Sequence, residues 1–343
     1  MKKGKIKRVI IMGFDGAIPG FVQRFRKELP HLDALMKRGV FSAAISSYPT
    51  DTPTNWTTIA TGALTGTHGI VGFHVRNADE PFDVSHSTFN SDLCQAEYIW
   101  QTLERAGMKS ILVNYPTAFP VRTKKSLIVG GDGVVSRNWI FANSALYSSE
   151  AVEKPGTLPF GYRANILELK LEKAKGWRNM VSSYLEPLEA SIEMLGGVKM
   201  DWSAKGAIAE GKRREKEKVY YHILIYGSKK RKYDTLLISK EKDAKKAVAV
   251  LKEGEWSDWI YDEFSTSQKE GKGFFCFRLI TLSPDGKLVK LFRSDIGDIK
   301  GWSYPSTLAD ELIENVGPFL EGFECPAGVV LGWFPIKVGF EQV

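Results

Sequence analysis

The chain has 343 residues, 43% of them hydrophobic and 25% charged, enough to build one large or two medium globular domains. A formal net charge of +7 suits anionic partners, but the densest cationic runs, 2–8, 212–218 and 229–232, interleave with glutamate or flank a strand-like segment. They read as solvated faces and exclude a dedicated nucleic-acid module. The cysteines Cys94, Cys276 and Cys325 have neither metal-type spacing nor an even count, and no apolar run reaches signal-peptide or transmembrane length. The expectation is a cytoplasmic protein with no membrane partner.

In chain order, residues 6–14 (IKRVIIMGF) predict a buried strand, with Asp15 and Gly16 at its carboxyl end, where parallel sheets present ligand residues. Residues 20–38 carry helical spacing that Pro30 divides in two and Gly39 ends. Residues 40–45 predict a second strand. The stretch TDTPTNWTTIATGALTGTHGIVGF then spans 50–73. Proline is favoured in a first helical turn and threonine as a cap, so Thr52-Pro53 predicts a helix start with Thr52 capping it. The Thr52 hydroxyl then lies at the positive end of a helix dipole, where anions bind. Thr50 and Thr54, the neighbouring hydroxyls, lack that position. One right-handed crossover separates Asp15 from Thr52, so the two side chains can converge.

Residues 74–94 read as a polar connection over the site, 95–106 as an amphipathic helix, and 110–114 and 127–129 as strands. Gly130-Gly131-Asp132-Gly133 reads as a turn, because no G-x-G-x-x-G opens a helix there. From about residue 150 the character changes. Residues 165–196 read as charged helix, and 219–226, 235–238, 274–282 and 288–292 as strands, the last two joined by a Ser283-Pro284-Asp285-Gly286 hairpin turn. Residues 240–251 predict a helix between strands and 305–320 another, with 329–334 returning to the first sheet. These readings divide the chain into 1–150, an α+β insertion or cap at 151–303, and a return at 304–343.

GFDGA at 13–17, followed by YPTDTPTNWTTIATGALTGTHGIVGF at 48–73 and YIWQTLERAGMKSILVNYPTAFP at 98–120, resembles the alkaline phosphatase superfamily. The resemblance is to its type I phosphodiesterase/nucleotide pyrophosphatase and phosphohydrolase/phosphomutase branch. It implies an α/β fold with a mostly parallel sheet flanked by helices. It also implies a metal-dependent phosphoric-ester hydrolase with two divalent metal ions, zinc by preference and manganese or magnesium as alternatives. Asp15 matches the family's aspartate ligand, and Thr52 its nucleophile, which also binds metal and forms a phosphoenzyme. A hydroxyl needs such activation to attack phosphorus, and a carboxylate is a hard oxygen ligand for the metal. A small phosphorylated substrate follows, its phosphate held by the helix start and by Asn55 or His74.

Two departures bear on substrate. The residue after the nucleophile, whose N–H holds phosphate in the pyrophosphatase subgroup, is here Pro53, and the subgroup's phosphate-binding asparagine is replaced by Phe73, next to His74. Both disfavour nucleotides. The family's later D-x-x-x-H and D-H-G ligand elements do not occur, and His222 is the sole histidine beyond residue 86. The expectation is an amino-terminal portion that needs a missing carboxyl-terminal half, exposes apolar surface and associates with that half. A non-catalytic remnant that binds a phosphorylated ligand or a partner subunit is the alternative. A third reading is a different metal site from Asp15, His68, His74 and His86, with Asp83–His86 spacing as a minor variant. His68 alone reads as structural, and His31 and His222 as a helix-surface and a strand residue.

Overall fold

The computed structural model describes residues 8–82, 84–131, 140–150, 166–195, 218–229, 231–266 and 269–319. Asp83, Asp132, Gly133, Cys325 and the expected 329–334 strand lie outside them.

The amino-terminal part begins with helices α1 (Pro19–Arg24) and α2 (Pro30–Arg38), separated at Pro30 as the sequence predicts. Helix α3 (Thr52–Thr61) and the single turn α4 (Thr65–His68) follow, each ended by a left-handed glycine, Gly62 and Gly69. A two-residue antiparallel ribbon, β1 (His74–Val75) with β2 (His86–Ser87), occupies the expected connection. Helix α5 (Ile99–Arg105) starts where Gln101 accepts the Tyr98 N–H. Strands β3 (Ile111–Val113) and β4 (Leu127–Val129) then pair in parallel.

One face of the β3–β4 pair, Leu112 and Ile128, is buried with Ala60, Ile70, Cys94, Tyr98, Trp100 and Ala118. The other face leaves Ile111, Val113 and Leu127 exposed. The expected strands at 6–14 and 40–45 are not formed in the described residues. Residues 8–14 and 40–45 carry no strand and join no ladder, and Ile10 is 84% exposed. Apolar content gives such segments strand propensity, but a strand needs a partner edge, and none reaches them here.

The larger part is β-rich. Strands β5 (Ile140–Ala142), β6 (Ala145–Ser148), β7 (Ile166–Glu168), β8 (Glu172–Lys173) and β9 (Leu188–Glu193) lead into β10 (Tyr220–Tyr226), β11 (Thr235–Ser239) and β12 (Ala247–Leu251). These are followed by β13 (Ile260–Ser265), β14 (Glu270–Phe275), β15 (Phe277–Leu282), β16 (Val289–Arg293) and β17 (Ile296–Asp298). They form three sheets, ordered β12-β11-β10-β9-β8, β13-β14-β17-β5 and β15-β16-β6-β7, antiparallel throughout except for the β6–β7 pair. Their common core includes Tyr221, Ile223, Phe264, Phe275, Phe277 and Leu291.

Two helical expectations are corrected here. Residues 165–196 form β7, β8 and β9 where described. Their ILELKLEK run alternates with period two, and Gly176 and Pro187 interrupt any helical stripe. Residues 240–251 form a 3-10 turn (Ala244–Lys246) and then β12, where Ala-Val-Ala-Val-Leu pairs with β11. Among the described residues, 166–298 hold strands and one 3-10 turn and no α-helix, in place of the expected α+β mixture. The 283–286 turn is as expected, with Gly286 at a φ of +73° and its N–H donating to the Ser283 carbonyl at 2.9 Å.

The chain returns to the first sheet at β18 (Ser303–Tyr304), antiparallel to β4, and continues into α6 (Thr307–Asn315). A small core of Ile140, Phe274, Trp302, Ala309 and Phe319, with Val129 and Trp259 against it, joins the β-rich part to the first sheet. The whole is mixed α/β with several sheets and few helices. It is strand-rich, in place of the expected parallel core flanked by helices.

Candidate active site

The site centres on the start of α3. Its N-cap is Asp51, extended at φ −75° and ψ 150°, so Thr52 is the first helical residue and Pro53 the second. The expected cap moves by one residue. The Asn55 N–H closes the first turn onto the Asp51 carbonyl at 3.0 Å. The N–H of Thr52 and of Thr54 then have no intrahelical acceptor, and Pro53 has no N–H to offer. Thr52 is half-buried.

Asn55 braces this turn. Its Oδ1 accepts the Ser47 N–H and the Ser47 hydroxyl, both at 3.0 Å, and its Nδ2 donates to the Asp51 carbonyl at 3.1 Å. The segment preceding the helix is thus tied to its first turn, and most of Asn55's bonding capacity is spent on the chain itself. Residue type alone does not single out Asp51. Its carboxylate lies beside Gly72, where an added Cβ would sit 3.2 Å from Oδ2. Thr50, Thr52 and Thr54 surround Asp51 with hydroxyls that suit a cap equally by residue type, although aspartate is as good a cap as threonine.

Asp15 lies in the turn after 8–14 and is exposed, and Gly16 supplies the turn's positive φ of +64°. What links this turn to α3 is Gly13. A Cβ there would overlap the Trp56 indole, so the backbone two residues before Asp15 rests on a ring one helical turn beyond Thr52. Trp56 is itself held, edge to face with Tyr115 at 5.2 Å, and the Tyr115 hydroxyl donates to the Trp56 carbonyl at 2.7 Å. Burial, and then the charge of Tyr98, push the Tyr115 phenol well above its ordinary value, so it stays a donor.

Thr54 and Thr57 are fully buried one turn apart, and neither Oγ1 has a hydrogen-bond partner among the described residues. His68 is fully buried too. Its Nδ1 accepts the Ile70 N–H at 3.1 Å, so Nε2 carries the proton and donates to Thr58 Oγ1 at 3.0 Å. Desolvation lowers its pKa and keeps it neutral. His74 is exposed in β1, across the ribbon from Ser87. His86 Nε2 pairs with Glu80 at 2.8 Å. His31 is exposed on α2, and His222 lies on β10 with Nδ1 2.8 Å from Ser191 Oγ.

These positions decide what the donors can hold. Among the described residues, no three His, Cys, Asp or Glu side chains come together as a metal site. Both His68 nitrogens are engaged, which removes one member of the alternative Asp15, His68, His74 and His86 set, whereas His86 holds Glu80 through Nε2 alone. Asp83 lies outside the described residues. Asp15 and Thr52 alone fall short of the two-metal centre that the resemblance implies, since a divalent ion in such a centre takes four or more ligands. What the described residues do provide is a hydroxyl at a helix start, two free N–H groups beside it, and a carboxylate turn packed on the same helix.

The family described as type I phosphodiesterase / nucleotide pyrophosphatase matches residues 9–205, more than half of the chain, and that span contains Asp15, Thr52, Asn55 and His74. No curated protein and no solved structure matches the chain.

Proposed function

The chain belongs to the type I phosphodiesterase / nucleotide pyrophosphatase family, and on that premise we propose that it hydrolyses phosphoric esters with Thr52 as nucleophile. The observation that carries this is the position of Thr52 in the first turn of α3, on the helix against which the Asp15 turn packs through Gly13 and Trp56. In this reading Thr52 Oγ1 bonds to phosphorus as the ester oxygen leaves, and the hydroxyl proton ends on the departing alcohol. Water then cleaves the threonine–phosphorus bond, releasing phosphate from a monoester or a phosphate monoester from a diester and restoring the hydroxyl. The N–H groups of Thr52 and Thr54 and the helix dipole stabilise the negative oxygens during transfer. Asn55 keeps the turn in place through Ser47 and Asp51, and His74 is the proposed flanking phosphate contact.

Family members are metal-dependent, and metal ions in such enzymes activate the nucleophile and neutralise charge on phosphorus. Asp15 and Thr52 are the proposed ligands from this part of the chain. The remaining ligands come from outside the described residues, either elsewhere in this chain or on a partner polypeptide. Zinc is the first candidate ion, with manganese and magnesium as alternatives, and the substrate is a small phosphorylated molecule.

The lack of a three-ligand cluster favours a second reading, a non-catalytic protein that binds a phosphorylated ligand or partner subunit at the same helix start. Metal analysis of the purified chain and turnover of a p-nitrophenyl phosphodiester separate the two. Hydrolysis requires bound metal and a Thr52→Ala loss of roughly 1,000-fold or more, the scale seen when a covalent nucleophile is removed. Phosphate binding that survives with neither metal nor turnover selects the second reading.

A further inference from the structure

The five-stranded sheet of the β-rich part carries a surface that the hydrolase reading does not use. A loop over residues 178–185 crosses the outer face of this sheet. At one end the Asn179 side chain donates to Asp243 at 2.8 Å. At the other, the Tyr184 N–H donates to the Gly227 carbonyl at 3.1 Å, and the Gly227 N–H donates to Ser183 Oγ at 3.2 Å. The loop therefore ends on the turn between β10 and β11. That turn is braced as well, with the Ser228 N–H and hydroxyl both bonded to Asp234, at 2.9 and 3.1 Å. The Tyr233 hydroxyl reaches the Glu186 carbonyl at 2.7 Å.

Met180, Val181 and Tyr184 are exposed along the crossing loop, at 44%, 36% and 62%. Lys229, Arg231 and Lys232 are exposed on the turn, and among the described residues none of them forms an ion pair with a carboxylate. Two of the neighbouring acids are ion-paired, Glu186 with Lys173 and Asp285 with Lys287, whereas Asp234 accepts from the neutral Ser228 and Thr235 and keeps its charge toward Lys232. Arg178, at the other end of the loop, is paired with Glu241 and Asp243.

We propose that this surface binds anionic lipid bilayers peripherally, with Met180, Val181 and Tyr184 entering the headgroup layer and Lys229, Arg231 and Lys232 meeting lipid anions. Exposed apolar side chains on a loop that ends at a cationic turn, with Tyr184 next to that turn and Met180 and Val181 toward the Asp243 end, supply the two attractions of interfacial adsorption, apolar insertion and electrostatics, which add. A nucleic acid would call for planar groups to stack on bases, and two of the three apolar side chains here are aliphatic. The expectation of no membrane partner rests on the want of a spanning segment, and no helix among the described residues is long and apolar enough to cross a bilayer. Peripheral binding needs no such helix.

The test is co-sedimentation of the full chain with vesicles of phosphatidylcholine alone and of phosphatidylcholine with about one third phosphatidylserine, an anionic surface of the kind that attracts polybasic segments. Binding confined to the phosphatidylserine vesicles is expected, weakening as salt rises. Replacing Lys229, Arg231 and Lys232 together by serine is expected to weaken it about 100-fold, at roughly fivefold per cation. The separate triple variant Met180→Ser, Val181→Ser, Tyr184→Ser is expected to weaken it as well. Both triples alter exposed side chains, and an unchanged circular dichroism spectrum verifies that each folds. Equal binding to neutral vesicles, binding to neither, an apolar triple variant that binds as well as the parent, or affinity for single-stranded RNA without affinity for vesicles would each overturn the proposal.

Discussion

The region that carries the family signature and the region that carries most of the packing are different parts of this molecule. Within residues 8–131, one cluster of eight buried apolar side chains lies under a two-strand parallel pair and the helices α3 and α5. Within 140–304, three sheets of mostly antiparallel strands enclose a cluster of twenty-four. The cause is topological. Antiparallel neighbours such as β10–β11 and β15–β16 pair across short connections and each cover the next sheet. Parallel strands gain both faces only when crossovers bring helices over them, and Ile111, Val113 and Leu127 have none over theirs. A chemical motif can thus sit on the less consolidated part of a fold, held by a few local devices such as Asn55 on Ser47 and Trp56 under Gly13.

The comparison breaks most sharply if the two regions unfold together. Phe275 is fully buried, edge to face with Tyr221, Phe264 and Phe277 at ring distances of 5.8, 5.8 and 5.5 Å. Phe275→Ala is expected to cost about 3–5 kcal/mol in the β-rich region. Urea unfolding with hydrogen exchange read peptide by peptide checks this. In the variant, β10, β14 and β15 should lose protection at lower denaturant than in the parent, while protection in 52–131 stays where it is in the parent. Simultaneous loss would mean that the Phe274, Trp302 and Phe319 cluster joins the two regions into one cooperative unit.

A smaller and more local effect sharpens the other side of the comparison. Gly13→Ala puts a methyl group into the Trp56 ring and should cost about 1–3 kcal/mol, as overpacking does. The damage should appear as increased exchange in 10–16 and 52–61, with the β-rich peptides unaffected. Pairing it with Trp56→Leu should restore part of the loss. No restoration would mean that the contact does not seat the Asp15 turn on α3.

How much of this was legible follows from where each signal is stored. Pro30, Pro53 and Gly286 act through backbone dihedrals fixed by one residue, and the divided helix, the start of α3 and the hairpin turn follow from them. Strand existence was less legible, because a strand depends on an edge elsewhere in the chain. The apolar run 8–14 reads as strand and joins no ladder, whereas Leu-Glu alternation near residue 168 reads as helix and forms β7. At the site, Thr52 and Asp15 are legible as residue types in a motif. The Asp51 cap, the Ser47–Asn55 brace and the Gly13–Trp56 contact are not, since each depends on what folds back onto α3. The surface formed by the 178–185 loop with Lys229, Arg231 and Lys232 was hidden for the opposite reason. A cationic run by itself reads as solvated, and only the hydrogen bonds at Gly227 bring Tyr184 beside it.

The smallest expected effect concerns pH and again separates the two regions. His68 is held neutral by burial, with its pKa below the ordinary 6.5, and Nδ1 must stay unprotonated to accept the Ile70 N–H. Above about pH 6.5 the folded and unfolded states bind the same number of protons at this residue, and its contribution is fully present. As pH falls from there toward the lowered folded value, the unfolded state takes up a proton that the folded state refuses, so stability is lost. A loss on the order of 1 kcal/mol, the scale of one hydrogen bond, should appear as faster exchange of the Ile70 amide relative to the amides of β10. His68→Gln should flatten that pH dependence while leaving the β-rich amides unchanged. A profile that persists in this variant would assign the titration to another group and leave the buried imidazole a passive filler between α3 and α4.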